Sequence, residues 1–190
     1  MRRAASIGIA TALALFGVAE VGAGAWIQAK GFVAQRLIAR AWSSAGGGRP
    51  VRRPWPWADM RPVARLTVPA RRIDLYVMDD ASRRALAFGP GLVAGTAAPG
   101  AEGNTVIVAH RDTHFTFLRA LAPDDEIDLQ PAGGTLTRYR VRETVIVDRD
   151  DADVMDDAGG ARLTLITCYP FDALRPGTRL RYVVVAERVA

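Results

Sequence analysis

The sequence is poor in reactive side chains. It has one cysteine, Cys168, two histidines, His110 and His114, and one lysine, Lys30, beside 24 arginines. A single thiol excludes a mini-fold stapled by intrachain disulfides. The arginine-for-lysine bias reads as the mark of a GC-rich genome rather than of any site. With 49% apolar and 24% charged residues the chain is not of disordered composition, and 190 residues suit one domain plus a tail. Basic charge is missing where a nucleic-acid reader would need it. Residues 63–190 carry 16 Arg against 18 Asp and Glu, a balance of −2, while residues 1–62 hold 9 basic and 2 acidic residues and account for the net +5. A counterion-releasing surface requires basic charge clustered on the fold itself, so DNA and RNA are excluded as partners.

What the N-terminus does have is a long apolar run. From Ala4 to Ala29 it is interrupted by one acid, Glu20, and preceded by Arg2 and Arg3. Roughly 20 such residues suffice to cross a bilayer, so residues 1–30 read as a single-pass membrane anchor. Ala23-Gly24-Ala25 offers a signal-peptidase-like site, which keeps a cleaved signal open as the rival reading. Either places the rest of the chain outside the cytoplasm, at the outer side of the inner membrane, where a lone cysteine is a free or intermolecular thiol. Residues 31–62 form a connector. Phe32, Val33, Leu37, Ile38 and Trp42 recur at near-helical spacing and predict an amphipathic juxtamembrane helix. A Gly, Pro and Trp linker follows, in which Trp55-Pro56-Trp57 caps an apolar surface or serves as a stiff spacer.

From residue 63 the pattern is that of strands. Arg65–Val68, Ile73–Met78, Thr105–His110, Glu126–Gln130, Thr137–Val147, Arg162–Cys168 and Arg179–Val189 alternate or run apolar between Gly, Pro, Asp and Asn clusters. Seven or eight short strands predict an all-β barrel or sandwich. Short helical turns are expected at Asp79–Arg84 and Thr116–Ala122.

Three strands end in chemistry. By the period of two, His110 follows Val106 and Val108 on one face, Cys168 follows Thr164 and Ile166, and Arg179 and Arg181 share a face with Val183 and Val185. Taken singly, each has a bland explanation: a small buried thiol, a hydrogen-bonded imidazole, a solvated strand edge. Together they supply a nucleophile, a proton-transfer group and a cation for developing oxyanion charge. His110, Asp112 and His114 alternate and with Cys168 would make a zinc set, but Arg111 stands among them. A different class of protein, a non-catalytic membrane-anchored β-barrel that binds peptide or senses redox state through its thiol, also fits the composition. The acidic run Asp148 to Asp153 reads as a solvated loop.

The domain resembles the sortases, the cysteine transpeptidases of bacterial surfaces. The resemblance rests on five collinear segments: Ala87-Phe88-Gly89-Pro90-Gly91, Gly95-Thr96-Ala97-Ala98-Pro99-Gly100 through Asn104, Val108-Ala109-His110-Arg111-Asp112-Thr113-His114-Phe115, Thr164-Leu165-Ile166-Thr167-Cys168, and Arg181-Tyr182-Val183-Val184. Leu92 stands where the family usually has His, and Ala109 where it has Gly. The anchor, the Trp-Pro-Trp linker and the Cys-Tyr-Pro-Phe run are most similar to proteobacterial sortases. The resemblance implies a closed eight-stranded β-barrel with short helices, no cofactor, and cleavage of an LPxTG-like sorting signal through a thioacyl-enzyme that an amine acceptor resolves. It implies catalytic roles for His110, Cys168 and an arginine of the last strand. Strand alignment favours Arg181, and reading it as the deeper of the two in the barrel leaves Arg179 a rim contact. Arg179, Thr167 and Ala109 are the expected substrate-binding residues.

Overall fold

The computed structural model describes residues 17, 32–44, 51–156, 159–175 and 177–189. Apart from residue 17, the apolar run expected to cross the membrane lies outside the described residues, and no described helix is long and apolar enough to span a bilayer. Residues 1–36 and 37–190 are separate compact units, and the second contains the fold.

That unit is a closed barrel of eight strands: β1 (Pro62–Val68), β2 (Ile73–Met78), β3 (Gly91–Leu92), β4 (Gly103–Val108), β5 (Glu126–Pro131), β6 (Thr137–Asp148), β7 (Ala161–Tyr169) and β8 (Leu180–Arg188). Their order around the barrel is β1-β2-β3-β4-β7-β8-β6-β5, with β5 closing onto β1. Most pairs are antiparallel, but β3 runs parallel to β2 and β7 runs parallel to β4. A bulge between Val141 and Glu143 lets the long β6 turn from β5 to β8. Seven strands lie within a few residues of their predicted bounds. The exception, β3, has two residues, too few for a periodic signal. Gly91 belongs there because a side chain would not fit: its Cβ would run into the Asp80 carbonyl and lie 2.7 Å from Ala81 Cα.

The interior is filled by alternate residues of each strand, among them Leu66, Ile107, Leu129, Tyr139, Leu165 and Val184, all fully buried. The segment after β4 returns to this core. Phe115 and Leu118, around the 3₁₀ turn Thr116–Ala120, are fully buried and join the core cluster. The other face of β4, β7 and β8 is apolar as well. Val106, Ile166, Val183 and Val185 form a second cluster outside the barrel, joined by Val108 of β4 and flanked by Val93 and Val154 from neighbouring segments. Strands covered on both faces read as near-continuous apolar runs, as these do.

The helix over residues 32–43 is present, but its buried face differs from the expected one. Ile38 and Ala41 are buried, whereas Phe32 and Val33 are exposed. Ile38 packs in a cluster with Met60, Met78 and Ala85, and Trp42 meets Tyr76 at 5.8 Å. The linker divides its two tryptophans: Trp55 sits edge-on to Phe88 at 5.2 Å, while Trp57 is 79% exposed. The turn expected at Asp79–Arg84 is not helical, and the 3₁₀ turn is Ala85–Ala87. The Asp80 carboxylate accepts the Ser82 amide at 2.9 Å and the Ser82 hydroxyl accepts the Ala85 amide at 3.3 Å, so these side chains serve amides ahead of the turn. Helical bonding begins only at Ser82, whose carbonyl accepts from the Leu86 amide.

Leu165→Ala should cost about 2–5 kcal/mol, because its fully enclosed site cannot collapse. Leu136→Ala, at a half-exposed site, should stay within about 0.5 kcal/mol. Urea midpoints at unchanged slope measure both.

Candidate active site

The register of three strands places the singled-out residues. In the parallel pair of β4 and β7, Val106 lies opposite Thr164 and Val108 opposite Ile166. Beyond the last ladder pair the Ala109 amide donates to the Ile166 carbonyl at 3.3 Å, and the Thr167 hydroxyl donates to the Ala109 carbonyl at 2.8 Å. The alignment thus persists past the strand end, bringing His110 level with Cys168. On the other side β8 runs antiparallel to β7, and Cys168 is paired directly with Arg181. Side chains of directly opposed residues emerge on the same face, with Cβ atoms about 5 Å apart. His110, Cys168 and Arg181 therefore form a row across three adjacent strand ends.

Two expectations need correction. His110 does not finish β4: the strand ends at Val108, and His110 begins the exposed turn that follows. The row is also not inside the barrel. Val183 and Val185 share a face with Arg181 and belong to the outer cluster, whereas Val184 and Ala186 fill the interior. The reading of Arg181 as deeper in the barrel fails because β8 is apolar on both faces. What separates the two arginines is pairing. Arg179 is 71% exposed and tied to acids, its Nε donating to Asp148 at 2.6 Å with Asp150 3.8 Å away. Arg181 has no acidic partner among the described residues. Its Nη1 donates to the carbonyls of Thr178 at 2.7 Å and Leu180 at 2.9 Å, and the rest of the fork remains available.

Ala109 and Thr167 are buried and bonded to each other, so they stand behind the row and fix its alignment. Asn104 and Thr164 do the same farther along. The Thr164 hydroxyl donates to Asn104 Oδ1 at 2.8 Å, while Asn104 Nδ2 donates to the carbonyls of Val154 and Asp156 at 3.3 and 3.2 Å. One buried amide thus holds the β6–β7 connection against β4. Neither Asn104 nor Arg111 was singled out from the sequence as holding the site's loops. Each has its partners 50 residues or more away, which no local pattern reveals.

Arg111, next to His110, is 9% exposed. Nη2 donates to the carbonyls of Ala173 at 2.7 Å and Arg175 at 3.0 Å, and Nη1 to the Thr178 hydroxyl at 3.2 Å. Tyr169, Phe171 and Tyr182 pack their rings together, and Arg119 lies over Phe171 at 5.8 Å. The thiol of Cys168 is free and half-buried. Among the described residues no three His, Cys, Asp or Glu side chains are grouped to hold a metal ion, so His110, Asp112, His114 and Cys168 are not brought together as ligands.

His114 titrates below the ordinary histidine range, first because it is buried and then because the His110 charge repels its own; Asp112 opposes this only in part. A lowered folded value means that the unfolded chain binds the proton more readily. The neutral ring's contribution to stability is therefore present above about 6.5, the unfolded value, and is lost as pH falls through the folded one. In NMR titrations His110→Gln should raise the His114 value, because it removes the repelling charge. An unchanged His114 value would mean that the two rings do not interact.

A family profile described as the sortase domain matches residues 66–189, about two thirds of the chain. Sortase D of Bacillus subtilis (strain 168) is 30% identical over 125 residues, covering 65% of this chain; the chain spans 62% of that curated relative's length. Among solved structures, sortase C-1 from Actinomyces oris matches with TM-score 0.61 at 25% identity, covering 80% of this chain and 98% of its own. Sortase A of Listeria monocytogenes matches with TM-score 0.59 at 26% identity, covering 68% and 88%. Barrel and family profile agree: this chain belongs to the sortase family.

Proposed function

We propose that the chain is a cysteine transpeptidase that cleaves a protein at an LPxTG-like sorting signal and joins it to an amine. The observation that carries this is the row His110, Cys168 and Arg181, set by continuous register across β4, β7 and β8 on the outer face of the barrel. Membership of the sortase family supports the same chemistry.

In the first half-reaction the Cys168 thiolate adds to the carbonyl of the scissile peptide bond. The carbonyl oxygen takes negative charge, which the Arg181 fork stabilises together with a backbone amide. As the intermediate collapses the C–N bond breaks, His110 gives a proton to the departing amine, and a thioester remains on Cys168. In the second half the incoming amine adds to the thioester carbonyl, His110 takes its proton, and the C–S bond breaks. Arg181 suits the oxyanion role better than Arg179 because its fork has no carboxylate to satisfy. A guanidinium already neutralised by Asp148 would have to give up one anion to meet another. Ala109 and Thr167 serve this chemistry by keeping His110 level with Cys168.

The cellular setting in this reading is an inner-membrane anchor built from the N-terminal apolar run, with the barrel on the extracytoplasmic side where exported substrates emerge. The Trp55-Pro56-Trp57 linker and the Cys168-Tyr169-Pro170-Phe171 run favour the proteobacterial type.

Acylation by an LPxTG-like peptide tests the assignment. Cys168→Ala should abolish it, and His110→Ala should slow it by roughly 10²–10⁴-fold. Arg181→Ala should slow it by about 10²–10³-fold, with Arg181→Lys recovering little because lysine lacks the planar fork. Arg179→Ala and His114→Ala should fall far less. Turnover by Cys168→Ala, or greater damage in Arg179→Ala than in Arg181→Ala, would overturn these roles.

A further inference from the structure

We propose that Arg111 is a positioning residue that, through Thr178, sets the guanidinium of Arg181 beside Cys168. The inference rests on the reading of Cys168 as nucleophile and Arg181 as oxyanion partner.

Arg111 is a buried guanidinium without an acid. It forms no ion pair among the described residues, and its partners are two backbone carbonyls and one hydroxyl. Burying a cation among neutral acceptors is a costly way to hold a loop that apolar packing would hold as well. What the guanidinium adds is geometry: a planar set of donors that fixes several acceptors at once. In this protein it fixes three points of the β7–β8 connection, the stretch that leaves Cys168 and returns to Arg181. Thr178 joins the two arginines. Its hydroxyl accepts from Arg111 at 3.2 Å and its carbonyl accepts from Arg181 at 2.7 Å. Arg111 also directly follows His110 in the chain, so one residue couples the position of the proton-transfer group to that of the oxyanion cation. Leu174, between the two clamped carbonyls, is wholly exposed and contributes no packing of its own to the loop. Without Arg111 this connection would keep its two strand ends but lose these three hydrogen bonds.

The single cysteine permits a test that needs no natural substrate. With p-nitrophenyl acetate the thiolate adds to a carbonyl, an oxyanion develops, the C–S bond forms, and the C–O bond breaks to release p-nitrophenolate. With iodoacetamide the same thiolate displaces iodide from a saturated carbon, and no oxyanion forms. The ratio of the two rate constants at Cys168, corrected with Cys168→Ala, reports oxyanion stabilisation apart from thiol reactivity. Arg181→Ala should lower this ratio. Arg111→Ala should lower it by roughly 10- to 100-fold, the scale expected when a catalytic group is displaced by about 1 Å. Thr178→Val, which removes the hydroxyl and keeps the carbonyl, should lower it by a smaller factor, and Arg111→Lys should fall between wild type and Arg111→Ala. In the Arg181→Ala background Arg111→Ala should cause no further loss, because both act through one group. A ratio unchanged in Arg111→Ala and Thr178→Val, or an equal loss with and without Arg181, would overturn the positioning role. If Arg111→Ala does not fold, Thr178→Val decides the same question. If Arg181→Ala leaves the ratio unchanged, the oxyanion assignment itself falls, and the positioning role with it.

Discussion

The strand β7 must be paired in one register with β4 on one side and β8 on the other, and everything at the site follows from that. Because strand side chains alternate, a slip of one residue would turn Cys168 toward the interior and Thr167 outward. Buried polar bonds oppose such a slip at both ends of the β4–β7 pair. Thr164 donates to Asn104 at one end, and Thr167 donates to the Ala109 carbonyl at the other. Breaking either leaves a polar group buried without a partner, at a cost of about 1–3 kcal/mol. Across β7, nine residues of β8 against nine of β6 and eight of β7 hold Arg181 opposite Cys168.

Much of this was legible in the sequence. Alternation and turn residues marked seven of the eight strands, and the positions of His110, Cys168 and Arg181 at strand ends marked the chemistry. The barrel's inside and outside were not legible, because Thr105 to Val108, Leu163 to Thr167 and Tyr182 to Ala186 are covered on both faces and carry little amphipathic signal. Alternation placed Arg179 and Arg181 on one face and could go no further. Choosing between them requires the long-range pairings Cys168 with Arg181 and Arg179 with Asp148. Arg111 stood in the sequence as an intruder in a would-be metal set. Its meaning lies in partners 62 to 67 residues downstream.

The electrostatics of the site follow from the same geometry. A chain with 24 arginines needs some means of keeping one of them free of carboxylates. Many surface arginines are paired, including Arg65 with Asp74, Arg138 with Asp128 and Arg188 with Glu102. Arg181 is instead held by carbonyls at its own strand end, next to the thiol, and Arg111 by carbonyls behind it. Neutral acceptors orient a cation without cancelling its charge, which is the condition for stabilising an anion that exists only in passage. Burial of His114 meanwhile disfavours its charged form and lowers its pKa.

In the proposed reaction an acyl group rests on Cys168 between the two half-reactions, and every role proposed for the row depends on it. Intact-mass and peptide-level mass spectrometry after incubation with an LPxTG-like peptide in the absence of an amine acceptor tests this most directly. The expected result is an adduct equal to the peptide up to its threonine, located on Cys168 and released as a hydroxamate by hydroxylamine. Cleavage of the peptide by the barrel with no adduct on Cys168, or with a hydroxylamine-labile adduct on another residue, would contradict it.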